Sequence, residues 1–192
     1  MTAPTRSALI DCTKGLACAA IVWHHLAFYG PMSEVAHPAM PDVLDWLYEY
    51  ARMAVQIFLV LGGYLAAASL APAGHVKLGT PWPKIGKRFV RLLVPYAVAL
   101  MVTIVVSATV RPWFDHESVS ADPDLWSLLA HALLLQNIVG EESLSAGVWY
   151  VSIDFQLFVL TTLLLAGVRW VAAWLRQHYG DQQAQRLWPW AV

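Results

Sequence analysis

The sequence predicts an all-α integral membrane protein with about four transmembrane helices plus one short partial or re-entrant helix at residues 125–139. Three observations predict it. Of the 192 residues, 58% are hydrophobic and 13% charged, against about 45–50% apolar and about 25% charged in soluble domains. Four stretches approach the roughly 20 apolar residues that crossing a bilayer takes. Lysine and arginine fall on alternate loops between those stretches, as they do around membrane helices. Ten tryptophans and seven tyrosines suit belts at the two membrane surfaces.

The first stretch runs from about Ala8 to Tyr29 and carries Asp11, Lys14, His24 and His25. The second, "MAVQIFLVLGGYLAAASLA" at 53–71, has no charge, and Gly62-Gly63 permits close helix approach. The third, "LLVPYAVALMVTIVVSATV" at 92–110, is also uncharged, and its Pro95 is tolerated where neighbouring helices surround it. The segment "LWSLLAHALLLQNIV" at 125–139 is apolar but too short to cross comfortably. The last stretch, from about Ala146 to Val168, contains one charge, Asp154. The chain reads as a single membrane domain over 1–192, without repeats or long linkers.

Loop charge sets the expected orientation. The 72–91 loop holds Lys77, Lys84, Lys87, Arg88 and Arg91, whereas the 30–50 loop holds Glu34, Asp42, Asp45 and Glu49 and no lysine or arginine. The 72–91 loop is therefore expected to be cytoplasmic, the 30–50 loop outside and the N-terminus inside. The mostly acidic 111–124 loop falls outside, and Arg169, Arg176 and Arg186 follow the last span on the cytoplasmic side. A net charge of −1 leaves no basic field, so no nucleic-acid partner is expected. Cys12 and Cys18 lie six apart on one helix and cannot bridge. Asp11 and Lys14 interrupt the region where a secretory signal needs its apolar core.

Ionisable residues inside a membrane are candidates for function. Lys14 and His25 are eleven residues apart, which at 100° each is three turns plus about 20°, so they share a face about 16 Å apart. Asp11 and Cys18 lie near the same stripe, and His24 points about 100° away from His25. Two readings stand for this face: an interfacial Asp11–Lys14 ion pair with a hydrogen-bonded histidine, or a track for a long substrate ending at an imidazole suited to proton transfer. Arg88 and Arg91 share a face where the third span begins, either as interfacial anchors or as a phosphate clamp. Asp154, with Trp149, Ser152 and Gln156 nearby, must pair, hydrogen-bond or stay protonated. No spacing suggests a metal site.

These segments together resemble the membrane acyltransferase-3 family, which includes O-acetyltransferases of cell-surface sugars. The family opens with a pattern like I-D-G-L-R-(A/G) and an apolar run ending in histidine. Here "LIDCTKGLACAAIVWHH" places Lys14 at the arginine position and His25 at the histidine position. The second-span pattern appears as "AVQIFLVLGGYL", with Gln56 for an aspartate and Gly62 for a serine. The R-x-x-R pair with its proline-tyrosine is "RFVRLLVPY", and the family's last pattern is "VWYVSIDFQLF", with Asp154 for its first glutamate and Phe155 for its second. "LLLQN" at 133–137 matches a further upstream stretch.

The resemblance implies transfer of an acyl group, usually acetyl from acyl-CoA as donor substrate, to a hydroxyl of a cell-envelope or exported carbohydrate, in a bacterial cytoplasmic membrane. No tightly bound cofactor is implied. On that basis His25 and Asp154 are the candidate catalytic residues. Lys14, Arg88 and Arg91 are the candidates for holding the donor's phosphates, and Asp11, Gln56, Trp149, Ser152 and Gln156 for lining the substrate pocket. Family members have about twice as many spans, so the chain reads as an N-terminal portion or a truncated member. Two alternatives are a catalytically inactive member and a haem-binding electron-transfer subunit, the latter with His25 and His131 on different helices as axial ligands.

Overall fold

The computed structural model describes residues 7–29, 31–114, 119–120 and 122–180; Arg186, and residues 115–118 and 121 of the 111–124 loop, lie outside them. Among the described residues there are helices and no strands. The helices are α1 (Ala8–Phe28), α2 (Pro31–Ala36), α3 (Pro41–Glu49), α4 (Ala54–Leu70), α5 (Trp82–Val110), α6 (Leu125–Ala132), α7 (Gln136–Val139) and α8 (Val148–Tyr179). Short 3-10 turns at Ala51–Met53 and Pro72–Gly74 flank α4.

Three helical runs are both long and apolar enough to cross a membrane: Pro41–Leu70, Trp82–Val110 and Val148–Tyr179. With their exposed apolar side chains they make an integral membrane protein. Helix α1, at 21 residues, is also long enough for a hydrocarbon core of about 30 Å, but its charges and histidines make it less apolar. The 125–139 segment is two short pieces, α6 and α7, broken at Leu134, whose φ of 56° lies in the left-handed region. That break needs support. The Leu134 side chain is fully buried, and its carbonyl accepts a 2.8 Å hydrogen bond from Gln156 Nε2.

The helices extend past the ends that hydropathy marks. Residues 82–91, expected in a loop, form the first turns of α5, and Arg169 and Arg176, expected after the last span, lie on α8. Lysine and arginine are good helix formers that carry their heads to the interface, so the apolar run ends before the helix does. The acidic 30–50 segment is likewise mostly α2 and α3 rather than loop.

Helix α1 packs on α4, α4 on α8 and α8 on α5, a row with α3 against α1 and α7 against α8. The α1–α3–α4 side is built from small residues: Ala17, Ala27, Ala51, Ala54 and Ala66 are all buried. Membrane helices approach closely where side chains are small. The α5–α8 side has a larger core of Tyr96, Leu100, Leu134, Leu144 and Val148. At its centre Gln136, fully buried, donates through Nε2 to Ser152 Oγ at 2.5 Å and Tyr96 OH at 3.2 Å. Replacing Gln136 by leucine removes a hydrogen-bond partner from each of these hydroxyls in an apolar core. We expect Gln136→Leu to destabilise the protein by about 2 kcal/mol, read as a lower thermal midpoint in detergent.

Candidate active site

The two adjacent histidines on α1 have separate fates. His24 is 8% exposed, and its Nδ1–H donates a 3.0 Å hydrogen bond to the Leu47 carbonyl, tying α1 to α3. His25, about 100° around the helix, is half-buried, and its Nδ1 is enclosed with no hydrogen-bond partner. Arg88 Nε, Gln136 Oε1 and Thr162 Oγ1 are likewise enclosed without a partner, so His25 is set apart by its surroundings.

His25 stands on the wall shared by two cavities. One, of about 610 Å³, lies between α1, α4 and the start of α8, lined by Ile21, Val55, Gln56, Phe58, Leu59 and Tyr150 among others. The other, of about 560 Å³, lies between α1, the C-terminal half of α5 and the loop before α8, with Thr103, Ser107, Ser120, Ser143 and Ser145 on its wall. Tyr29, Ala146 and Trp149 border both. Both volumes fall in the range of ligand sites, about 300–1,000 Å³.

The structure brings some of the sequence-derived candidates together and separates others. His25, Gln56 and Trp149 share the larger cavity. Ser152 and Gln156 sit instead in the α5–α7–α8 core, Ser152 bonded to Gln136 and Gln156 to Leu134. Asp11 is exposed in the first turn of α1, with Lys14 half-buried a turn on. The partner of Asp154 is Arg88: Nη2 donates to Oδ2 at 2.6 Å, and the guanidinium lies 4.4 Å over the Phe158 ring. Both side chains are mostly covered, at 28% and 14% exposed. Arg88 is therefore committed to a carboxylate, while Arg91 is exposed. A Cβ on Gly62 would sit 3.0 Å from Asp154 Oδ1, so α4 needs its glycine where it passes the pair. Asp154 lies five residues beyond Trp149 on α8, about 7.5 Å deeper than the cavity wall.

Three groups escaped the sequence reading. Tyr29 and Tyr150 look like interface aromatics, but both line the larger cavity. Arg52, on the same wall, is the first cation after an acidic stretch without lysine or arginine; that contrast is the signal that marks it. The haem reading meets a chemical obstacle. His131 is fully buried, its Nδ1–H donates to the Ser127 carbonyl at 2.7 Å and its Nε2 accepts from the Leu144 N–H at 3.2 Å. Both ring nitrogens are engaged, which leaves none for iron. Among the described residues no three His, Cys, Asp or Glu side chains converge as a metal site.

Among the described residues the scaffold is all-helical and of membrane-spanning type, with His25 on the wall of two cavities. The family follows from comparison with known proteins: the model described as an acyltransferase domain matches residues 8–179, and the chain belongs to that family, membrane acyltransferase-3. It is also similar to the Regulator of hypoxia-inducible factor 1 of Caenorhabditis elegans, 25% identical over 179 residues, covering 83% of this chain and 35% of that protein. The chain thus spans about a third of that relative's length. No solved structure matches.

Proposed function

We propose that the chain carries the histidine-bearing half of a membrane acyltransferase site that moves an acyl group from acyl-CoA to a hydroxyl, that of a carbohydrate of the cell envelope or for export. The observation that carries this reading is the position of His25 on the wall common to two cavities. Transfer between two substrates needs both to converge on one group, and holding them there supplies much of the rate. As general base, the imidazole takes the hydroxyl proton while the oxygen attacks the thioester carbon; the C–S bond breaks and the thiolate leaves as thiol. As nucleophile, it holds the acyl group between the two halves of the same reaction.

With the N-terminus cytoplasmic, the donor's phosphates meet Arg91 and Lys14 on the basic side, and Arg88 acts chiefly by fixing Asp154. The hydroxyl-lined cavity suits a polar acceptor. Membranes carrying the protein, given labelled acyl-CoA and a sugar acceptor, are expected to form the ester. In Arg91→Ala the KM for the donor should rise about tenfold, the loss of one charge-assisted contact of about 1.5 kcal/mol, with kcat little changed. If the substitution alters only insertion or orientation, the arginine is an anchor.

A further inference from the structure

The two cavities that meet at His25 are walled by different sets of side chains. The smaller carries hydroxyls on its wall: Thr103, Ser107, Ser120, Ser143 and Ser145. The larger is walled on its α1 and α4 sides mainly by hydrocarbon: Ile21, Phe28, Met53, Val55, Phe58 and Leu59. Val55, Phe58 and Leu59 follow one another at helical spacing on α4, with Gln56 between them in the chain, and Arg52, His25, Tyr29 and Tyr150 bring further polar groups to the wall. Phe58 is fixed edge-on to Tyr150, ring centroids 6.0 Å apart, so α4 and α8 hold the wall in shape.

An acetyl group is small for this space. Counting about 30 Å³ for a water-sized group, acetyl fills about a tenth of a cavity of about 610 Å³. An eight-carbon chain claims about 240 Å³ on the same count.

We infer that this larger cavity is an acyl-chain subsite, and that the acyl group transferred is a hydrocarbon chain of medium length rather than acetyl. The inference rests on the acyl-transfer reading of His25. The chain lies along α4, with its carbonyl carbon at the His25 wall. There the acceptor oxygen replaces the sulfur: the new C–O bond forms as the C–S bond breaks, and the hydroxyl proton passes through His25 to the departing thiolate. Ile21, Val55, Phe58 and Leu59 set the chain length.

The test is a chain-length profile. Membranes carrying the protein receive acetyl-, butanoyl-, hexanoyl-, octanoyl- and decanoyl-CoA with a sugar acceptor. A fully buried methylene is worth about fourfold, and even with partial burial we expect octanoyl to exceed acetyl in kcat/KM by at least about tenfold. Val55→Phe, which adds bulk at the cavity wall, should cut the octanoyl-to-acetyl ratio about tenfold and move the optimum to shorter donors. A profile that peaks at acetyl, or a ratio that Val55→Phe leaves unmoved, overturns the subsite while leaving acyl transfer intact.

Absence of transfer from every donor counts against the acyl-transfer reading instead. In that event crosslinking decides the subsite. Octanoate bearing a terminal photoreactive diazirine should label α1 and α4 in the wild type and not in Val55→Phe. No labelling there, or labelling that bilayer phospholipid displaces as readily as octanoate does, overturns it.

Discussion

Replacing Asp154 by leucine is expected to lower the thermal midpoint of the detergent-solubilised protein by about 5–10 °C, and replacing Arg88 by methionine in the same molecule is expected to restore most of it. The reason is the asymmetry of buried charge. Asp154 and Arg88 meet at 2.6 Å between α8 and α5, with Phe158 over the guanidinium and Gly62 against the carboxylate. Removing one partner leaves the other charge enclosed without compensation, which costs about 3–5 kcal/mol for a fully buried pair. Arg88 retains 28% exposure, so water screens part of the loss and about 2–3 kcal/mol is the better figure. For a chain of this size each kcal/mol moves the midpoint by about 2–4 °C. Replacing both partners removes the stranded charge, and two apolar side chains of similar size are at home between membrane helices. Equal destabilisation by the single and double variants would mean that the pair contributes through packing alone.

The second large effect concerns rate rather than stability. His25→Ala is expected to reduce acyl transfer by about 10²–10⁴-fold, the usual contribution of a positioned acid–base group. The fold should hardly register the change, because His25 Nδ1 bonds to nothing among the described residues and the ring makes tilted contacts with His24 at 5.5 Å and Tyr29 at 5.4 Å. His24→Ala should behave in the opposite way. It strands the buried Leu47 carbonyl and loosens α1 from α3, at about 1–3 kcal/mol. The residual activity of His24→Ala should then follow the amount of folded protein.

That contrast also shows how far the sequence could be read. The stripe joining Lys14 to His25 separates the two histidines by helical geometry alone; in the structure His25 borders both cavities, while His24 borders the larger one and is tied to the Leu47 carbonyl. Hydropathy found the long helices because 53–71 and 92–110 carry no charge. It misplaced their ends because residues 82–91 and 169–179 continue the helix with basic residues that reach the interface. The partner of Asp154 could not be read at all. Lys14, Arg88 and Arg91 are equivalent candidates in one dimension, and only the packing of α5 on α8 selects Arg88. Ser152 and Gln156 looked like pocket residues because polar groups in a span draw attention. They are engaged instead by Gln136 and the Leu134 carbonyl, partners on another segment that no spacing within α8 reveals. Tyr29, Arg52 and Tyr150 were hidden for the converse reason, since aromatic and basic residues near helix ends are ordinary membrane anchors.

The central claim is that an imidazole at the junction of the two cavities performs the transfer. The measurement that tests it most directly is the initial rate of acyl transfer by His25→Ala membranes, at matched amounts of folded protein, without and with added imidazole. The predicted result is a loss of at least about a hundredfold, partly reversed as free imidazole enters the space left beside a cavity of about 610 Å³. A rate equal to that of the wild type, with no response to imidazole, would contradict it.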